Sequence, residues 1–169
     1  MRALKFLRPR AVGPFSSFHW PLPENGAPGA WVSATGQLQP CLNGVHACRT
    51  SDLPYWLTEE LWRLELAGTV IEEEKIVVAE RGRLVSRVEA WTEETAIEFA
   101  LACAARAVEH AAADPHVEGY AQDAEEFALG AREGRSDLVA VAAFAAAHTS
   151  DYAAERSWQA AWLEQRLGL

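Results

Sequence analysis

Cysteine is scarce in this chain: three thiols among 169 residues, an odd number that fits reduced side chains better than a disulfide framework. None of the three forms the C-x2–4-C knuckle of structural zinc sites. No window holds eighteen consecutive apolar residues, and the alanine-rich stretch 138–147 is too short to span a bilayer. The opening "MRALKFLRPR" is basic but has neither an apolar h-region nor a small-residue cleavage site, so no secretory signal is expected there. A cytoplasmic protein without a membrane partner is the expectation. Glycine-rich phosphate loops of the Rossmann or P-loop kind are missing too. Positive charge is in short supply: 15 Lys and Arg against 24 Asp and Glu leave a net −9. That balance argues against a nucleic-acid partner held by phosphate neutralisation.

Hydrophobic residues make up 50% of the chain, enough for a real core. The charge is unevenly placed. Residues 1–91 hold ten Lys/Arg and ten acids, whereas residues 92–169 hold five Arg and fourteen acids. Five of the seven tryptophans precede Thr92, and alanine dominates after it. Two subregions follow, a β-rich 1–91 and a helical 92–169, expected to form one compact unit.

In the first half, "ALKFL" (3–7) is a strand candidate, and residues 13–40 form a long irregular stretch rich in proline and glycine. "GVHAC" (44–48) is a short β-like run, and "TSDLPYWL" a brief helix capped by Thr50 or Ser51. In "LWRLELAGTVI" (61–71), Trp62, Leu64, Leu66 and Val70 oppose Arg63 and Glu65. "EEEK" marks a turn, and "IVVAE" and "RGRLVSRVEAW" continue an antiparallel meander with one wet face.

The second half reads as three or four helices. Thr92 caps the first, in which Ile97, Leu101, Ala104, Ala105 and Val108 recur at helical spacing until Asp114-Pro115. Tyr120, Ala124, Phe127, Ala128 and Ala131 repeat the pattern. Ser136 opens a third helix with Leu138, Val141, Ala142 and Ala145 inward, and a fourth begins near Ser150 or Asp151. Its Trp158 and Trp162, on one helical face, are placed to dock the tail onto the sheet or to bind another chain, with tail docking the preferred reading. The fold class is α+β, an N-terminal antiparallel sheet with a short helix packed by alanine-rich helices.

The chemistry-bearing segment is "PCLNGVHAC" (40–48). Cys41, His46 and Cys48 offer three zinc ligands, with His19 or Cys103 as a fourth, but the knuckle is missing and no metal site is assigned. A Cys48–His46 nucleophile and base is a second reading; both would point to one face of a strand. In the third, Cys48 is a small buried hydrophobe and His46 a hydrogen-bonded cleft residue.

The run "CLNGVHACRTSDLPYWLTEELWRLELAGTVIEEEKIVVAERGRLVSRVEAW" resembles an uncharacterised domain of bacterial and phage proteins, and also suits actinobacterial hypothetical proteins. The resemblance covers about residues 38–91. It implies an α+β domain with Gly44, His46 and Cys48 as a signature, and implies no established activity.

The first functional expectation is therefore a small-molecule-binding protein or enzyme with its site where the 13–40 loop meets His46. His46, Cys48 and His19 are its candidate catalytic residues, and Phe18, Trp20, Trp31 and Arg49 its candidate ligand contacts. The second, from another class, is a non-catalytic interaction protein using the acidic helical half or a homodimer. Reaction, cofactor and substrate are not legible at this level.

Overall fold

The computed structural model describes all residues, 1–169, and the α+β class holds. The chain divides into two compact units, Met1–Glu89 and Ala90–Leu169. No helix is long and apolar enough to cross a membrane.

The first unit contains β1 (Arg2–Leu7), β2 (Val32–Ser33), β3 (Val45–Ala47), β4 (Glu60–Glu73) and β5 (Ile76–Arg87), all paired antiparallel. Alternation in β4 builds the sheet: Leu64 and Leu66 are buried while Arg63 and Glu65 are half-exposed. The two runs expected after "EEEK" form one strand, β5. Register shifts at Arg63/Leu64 and Ala67/Val70 bend the long hairpin. At the second, Gly68 takes a left-handed φ of 79°, and the Glu80 carboxylate accepts from Thr69 N–H (3.0 Å) and Oγ1 (2.8 Å).

The bend lets the sheet curl. β4 pairs with β1 at one edge, and β5 takes β3 at Val77–Ala79 and β2 at Arg81–Gly82 on its other edge. β3 then meets β1: Leu4 and Cys48 exchange both backbone hydrogen bonds (2.9 and 2.8 Å). The pairing path β1–β4–β5–β3–β1 is thus closed, a small barrel. Its core includes Leu7, Trp20, Trp62, Leu64, Leu66, Val77, Ala79 and Leu84. Trp20 comes from the irregular 13–40 stretch, which therefore supplies core as well as surface.

Two local devices went unseen in the sequence. The buried Glu60 carboxylate accepts from Arg10 N–H (3.1 Å), Ala11 N–H (3.0 Å) and Trp62 Nε1–H (3.0 Å). It clamps a turn in which Arg10 and Ala11 hold left-handed backbone angles, φ 67° and 54°. The short 3-10 helix Thr50–Tyr55 is capped by Arg49 instead of Thr50 or Ser51. Asp52 accepts from the Arg49 backbone N–H (3.1 Å) and from its Nε (2.7 Å).

The second unit holds α1 (Glu93–Ala113), α2 (Glu118–Arg132), α3 (Leu138–Ala147) and α4 (Tyr152–Leu167). Thr92 Oγ1 accepts from Thr95 N–H and Asp151 from Ala154 N–H, capping α1 and α4. Asp137, not Ser136, precedes α3. The expected Ala124, Ala128 and Ala131 of α2 and Leu138, Ala142 and Ala145 of α3 are buried, whereas the inward face of α1 is turned from the expected one. Ala96, Phe99, Ala100, Cys103, Ala104 and Ala107 are buried in α1, while Leu101 and Val108 are exposed. In α2 the buried set is Ala121, Ala124, Ala128 and Ala131, and Tyr120 faces water. Val141 of α3 is exposed as well. The physical reason is shared: alanine inside lets helix axes approach closely, so larger apolar residues are turned out.

Within the helical unit the tail docks onto α1. Trp162 packs on Phe99 with ring centroids 5.3 Å apart, and Trp158 lies under the Arg106 guanidinium at 4.9 Å. Beside them the buried Glu155 carboxylate accepts from Arg106 Nε (2.8 Å) and sits 2.9 Å from His110 Nε2.

Candidate functional site

The nonapeptide at 40–48 forms a turn followed by β3. Gly44 has φ 141°, and a Cβ there would collide with Val78 Cγ1, so only glycine allows this close approach. Asn43 Nδ2 donates to the Thr35 (2.9 Å) and Gln37 (2.8 Å) carbonyls, pinning the turn to the end of the 13–40 loop. The exposed Cys41, itself at φ 65°, donates its backbone N–H to His46 Nε2 at 2.9 Å.

That bond defines the imidazole. Nε2 accepts, so the ring's hydrogen bond to the Gly44 backbone comes from its other nitrogen, and both are engaged. Burial lowers the His46 pKa, the nearby Lys5 charge lowers it further, and the Gly44 bond opposes them. At neutral pH the ring is an uncharged brace across its own turn.

Cys48 is buried and its Sγ lies 3.4 Å from the Leu4 carbonyl oxygen. Burial pushes its thiol up to about 12; Asp52 adds to the push, and Lys5 and Arg49 only partly oppose it. A thiol so held is protonated at neutral pH and poorly nucleophilic. No group of three or more His, Cys, Asp or Glu side chains is arranged to hold a metal ion.

The residue that joins this segment to the loop is Lys5. It stands in β1 between Ala3 and Leu7, which both enter the barrel core. Its Nζ donates to the His46 carbonyl at 2.5 Å and lies 5.4 Å from the centroid of the Trp20 ring. The contact occurs next to the single Leu4–Cys48 pair, so the amine fills the seam between β1 and β3. Its neighbours are a carbonyl, an aromatic face and a thiol, with no carboxylate to stabilise the charged form. Burial lowers its pKa from 10.5 to about 8, and Cys48 offsets a little of that.

The other expected residues divide. Phe18, exposed, packs edge-on against Trp20 at 5.7 Å. His19 contributes a backbone bridge to Val12 and its side chain is exposed. Trp31 sits elsewhere, beside Arg83 (4.5 Å) and Arg81 (5.3 Å). Arg49 is engaged by Asp52 (2.7 Å), Glu72 (3.4 Å) and the Glu73 carbonyl (2.6 Å). The structure therefore gathers the His46 carbonyl, Cys48 and Trp20 around Lys5, with Phe18 against the Trp20 ring, and leaves Trp31 and Arg49 in separate contacts. Lys5 was missed as a centre, although a lone cation at a core-facing position of "ALKFL" was its signal.

Against known proteins the chain matches no family model, no curated protein and no solved structure.

Proposed function

We propose that the barrel unit binds a small aldehyde or ketone and engages it through the Lys5 amine. Trp20 forms the apolar wall, and the His46 carbonyl positions the amine. The observation that carries this reading is the setting of Lys5 Nζ: one backbone carbonyl at 2.5 Å, one indole face, and no anionic partner. Burial without an anionic partner outweighs the support that the carbonyl and the indole face give the ammonium, and so favours the neutral, nucleophilic amine. Its lone pair forms a C–N bond to the carbonyl carbon; the carbinolamine then loses water, which carries off the carbonyl oxygen, and an imine is left.

Reductive trapping tests it. The full-length protein is incubated with acetaldehyde and cyanoborohydride, which reduces any imine to a stable N-ethyl amine, and the sites are mapped by peptide mass. Lys5 and Lys75 are the only lysines. Expected is modification of Lys5 at least about tenfold above Lys75 at pH 7.5, rising with a midpoint near 8. Equal labelling of the two lysines, or an unmodified Lys5, overturns the proposal. A folded Lys5→Arg variant provides the blank.

A further inference from the structure

The helical unit carries an exposed aromatic cluster that its own packing does not use. The His148 ring, at the end of α3, stacks on Tyr120 of α2 (5.2 Å, 25°), meets Phe144 edge-on (4.6 Å) and Tyr152 of α4 at a tilt (5.0 Å). Tyr120 and Phe144 are 47% and 51% exposed, and Val141, one turn before Phe144, is 38% exposed. Asp137, Val141, Phe144 and His148 follow one another at i, i+4, i+7 and i+11, one stripe along α3. Large apolar groups line the outside here because alanines fill the inside.

The charge around the cluster selects its occupant. Residues 92–169 hold five arginines against fourteen acids. Arg106 is paired with Glu155 and Arg166 with Glu98, while Arg132 and Arg135 stand exposed at the end of α2 and in the turn before Asp137, two cations that still leave the unit at a net −9. Arg156 is buried beneath the cluster, against Phe144 and Tyr152, with its guanidinium bonded to Tyr152 Oη and Gln159 Oε1. Exposed aspartates adjoin the ring-bearing residues along the chain: Asp123 one turn after Tyr120, Asp137 at the head of the stripe, and Asp151, whose Oδ1 also caps α4, next to Tyr152. Two such faces repel each other, so a second copy of this unit is a poor occupant.

We propose that the Tyr120–Phe144–His148–Tyr152 face docks a basic amphipathic helix of a partner protein. Its apolar side chains cover Val141 and Phe144, and its Lys or Arg side chains reach the flanking aspartates. The site is independent of Lys5 and its chemistry.

The test is fluorescence anisotropy of the full-length protein with a labelled Leu/Lys helical peptide of about eighteen residues, and with the same peptide carrying Glu for Lys. Expected is saturable binding of the Lys peptide and none of the Glu peptide. Phe144→Ser and Tyr120→Ser each weaken binding about tenfold. Leu129→Ser, equally exposed at 52% but half a helical turn away from Tyr120 around α2, leaves it unchanged. Thermal melts confirm that these exposed-site variants fold. Equal binding of both peptides, equal loss in the Leu129 variant, or no loss in the Phe144 variant overturns the proposal. So does sedimentation showing a dimer that Phe144→Ser dissociates, which assigns the face to self-association.

Discussion

Lys5 and His46 meet through a backbone carbonyl, and that contact has a measurable consequence for pH. A lysine whose pKa falls on folding, here from 10.5 to about 8, holds fewer protons folded than unfolded between those values. Stability therefore climbs as pH rises through that window, by up to about 3 kcal/mol. The Cys48 thiol acts oppositely: pushed from 9.0 to about 12, it keeps its proton when folded, and its contribution is lost as pH rises above 9. Comparing the protein with Lys5→Met by urea denaturation between pH 7 and 9, below the range in which the thiol ionises, isolates the amine. The expected difference is a steeper rise in the native sequence; parallel curves would contradict the burial of the amine. At this scale the sequence showed the Gly44-x-His46-x-Cys48 spacing but not its use. A ring nitrogen accepting a backbone N–H five residues earlier, and a carboxylate clamping a turn fifty residues away, are set by tertiary placement that no local pattern encodes.

Among the elements, the helices teach the clearest lesson. Alanine-rich segments have a wide apolar arc, so residues at i, i+3, i+4 and i+7 describe a stripe whose rotational phase is ambiguous. In α1 the sets through Leu101 and Val108 and through Phe99, Cys103 and Ala107 fit the spacing equally; the structure buries the second. Existence and ends of the helices were legible because Thr92, Asp114-Pro115 and Asp151 are local chemistry. Phase was largely legible in α2 and α3 but not in α1, because there it depends on how closely neighbouring axes approach. Ala124→Leu is expected to destabilise the helical unit by about 1–3 kcal/mol through overpacking, whereas Leu129→Ser changes stability by less than about 0.5 kcal/mol. Guanidinium unfolding followed at 222 nm checks both, and a stabilised Ala124→Leu would refute the close-packing account. The strands were read well where alternation is strict, as in β4. Closure of the barrel was not foreseen, since it rests on bulges and on one pair linking residues 4 and 48.

Across the whole molecule, charge is segregated: residues 1–91 balance, and residues 92–169 carry the entire −9. Unpaired acids on one small helical unit repel one another over distances that low salt does not screen, with a Debye length of about 30 Å at 10 mM. Raising ionic strength from about 10 to about 300 mM is expected to lift the helical melting temperature by several degrees. Exposed pairs such as Arg166–Glu98 weaken under the same change but contribute little. A melting temperature that stays flat or falls with salt would show that the acids are locally compensated. This property was readable from composition alone, because net charge needs no fold.

The single pair between Leu4 and Cys48 has one more effect. By joining β1 to β3 it removes two short lateral margins, of six and three residues, on which a neighbouring chain could lay down a strand, the usual starting point of sheet-to-sheet clumping. What is left unpaired near β2 is only two residues deep. Templated β-assembly is thereby confined to the far half of β4, from Ala67 to Glu73, which runs on past the end of β1 with no strand on that side.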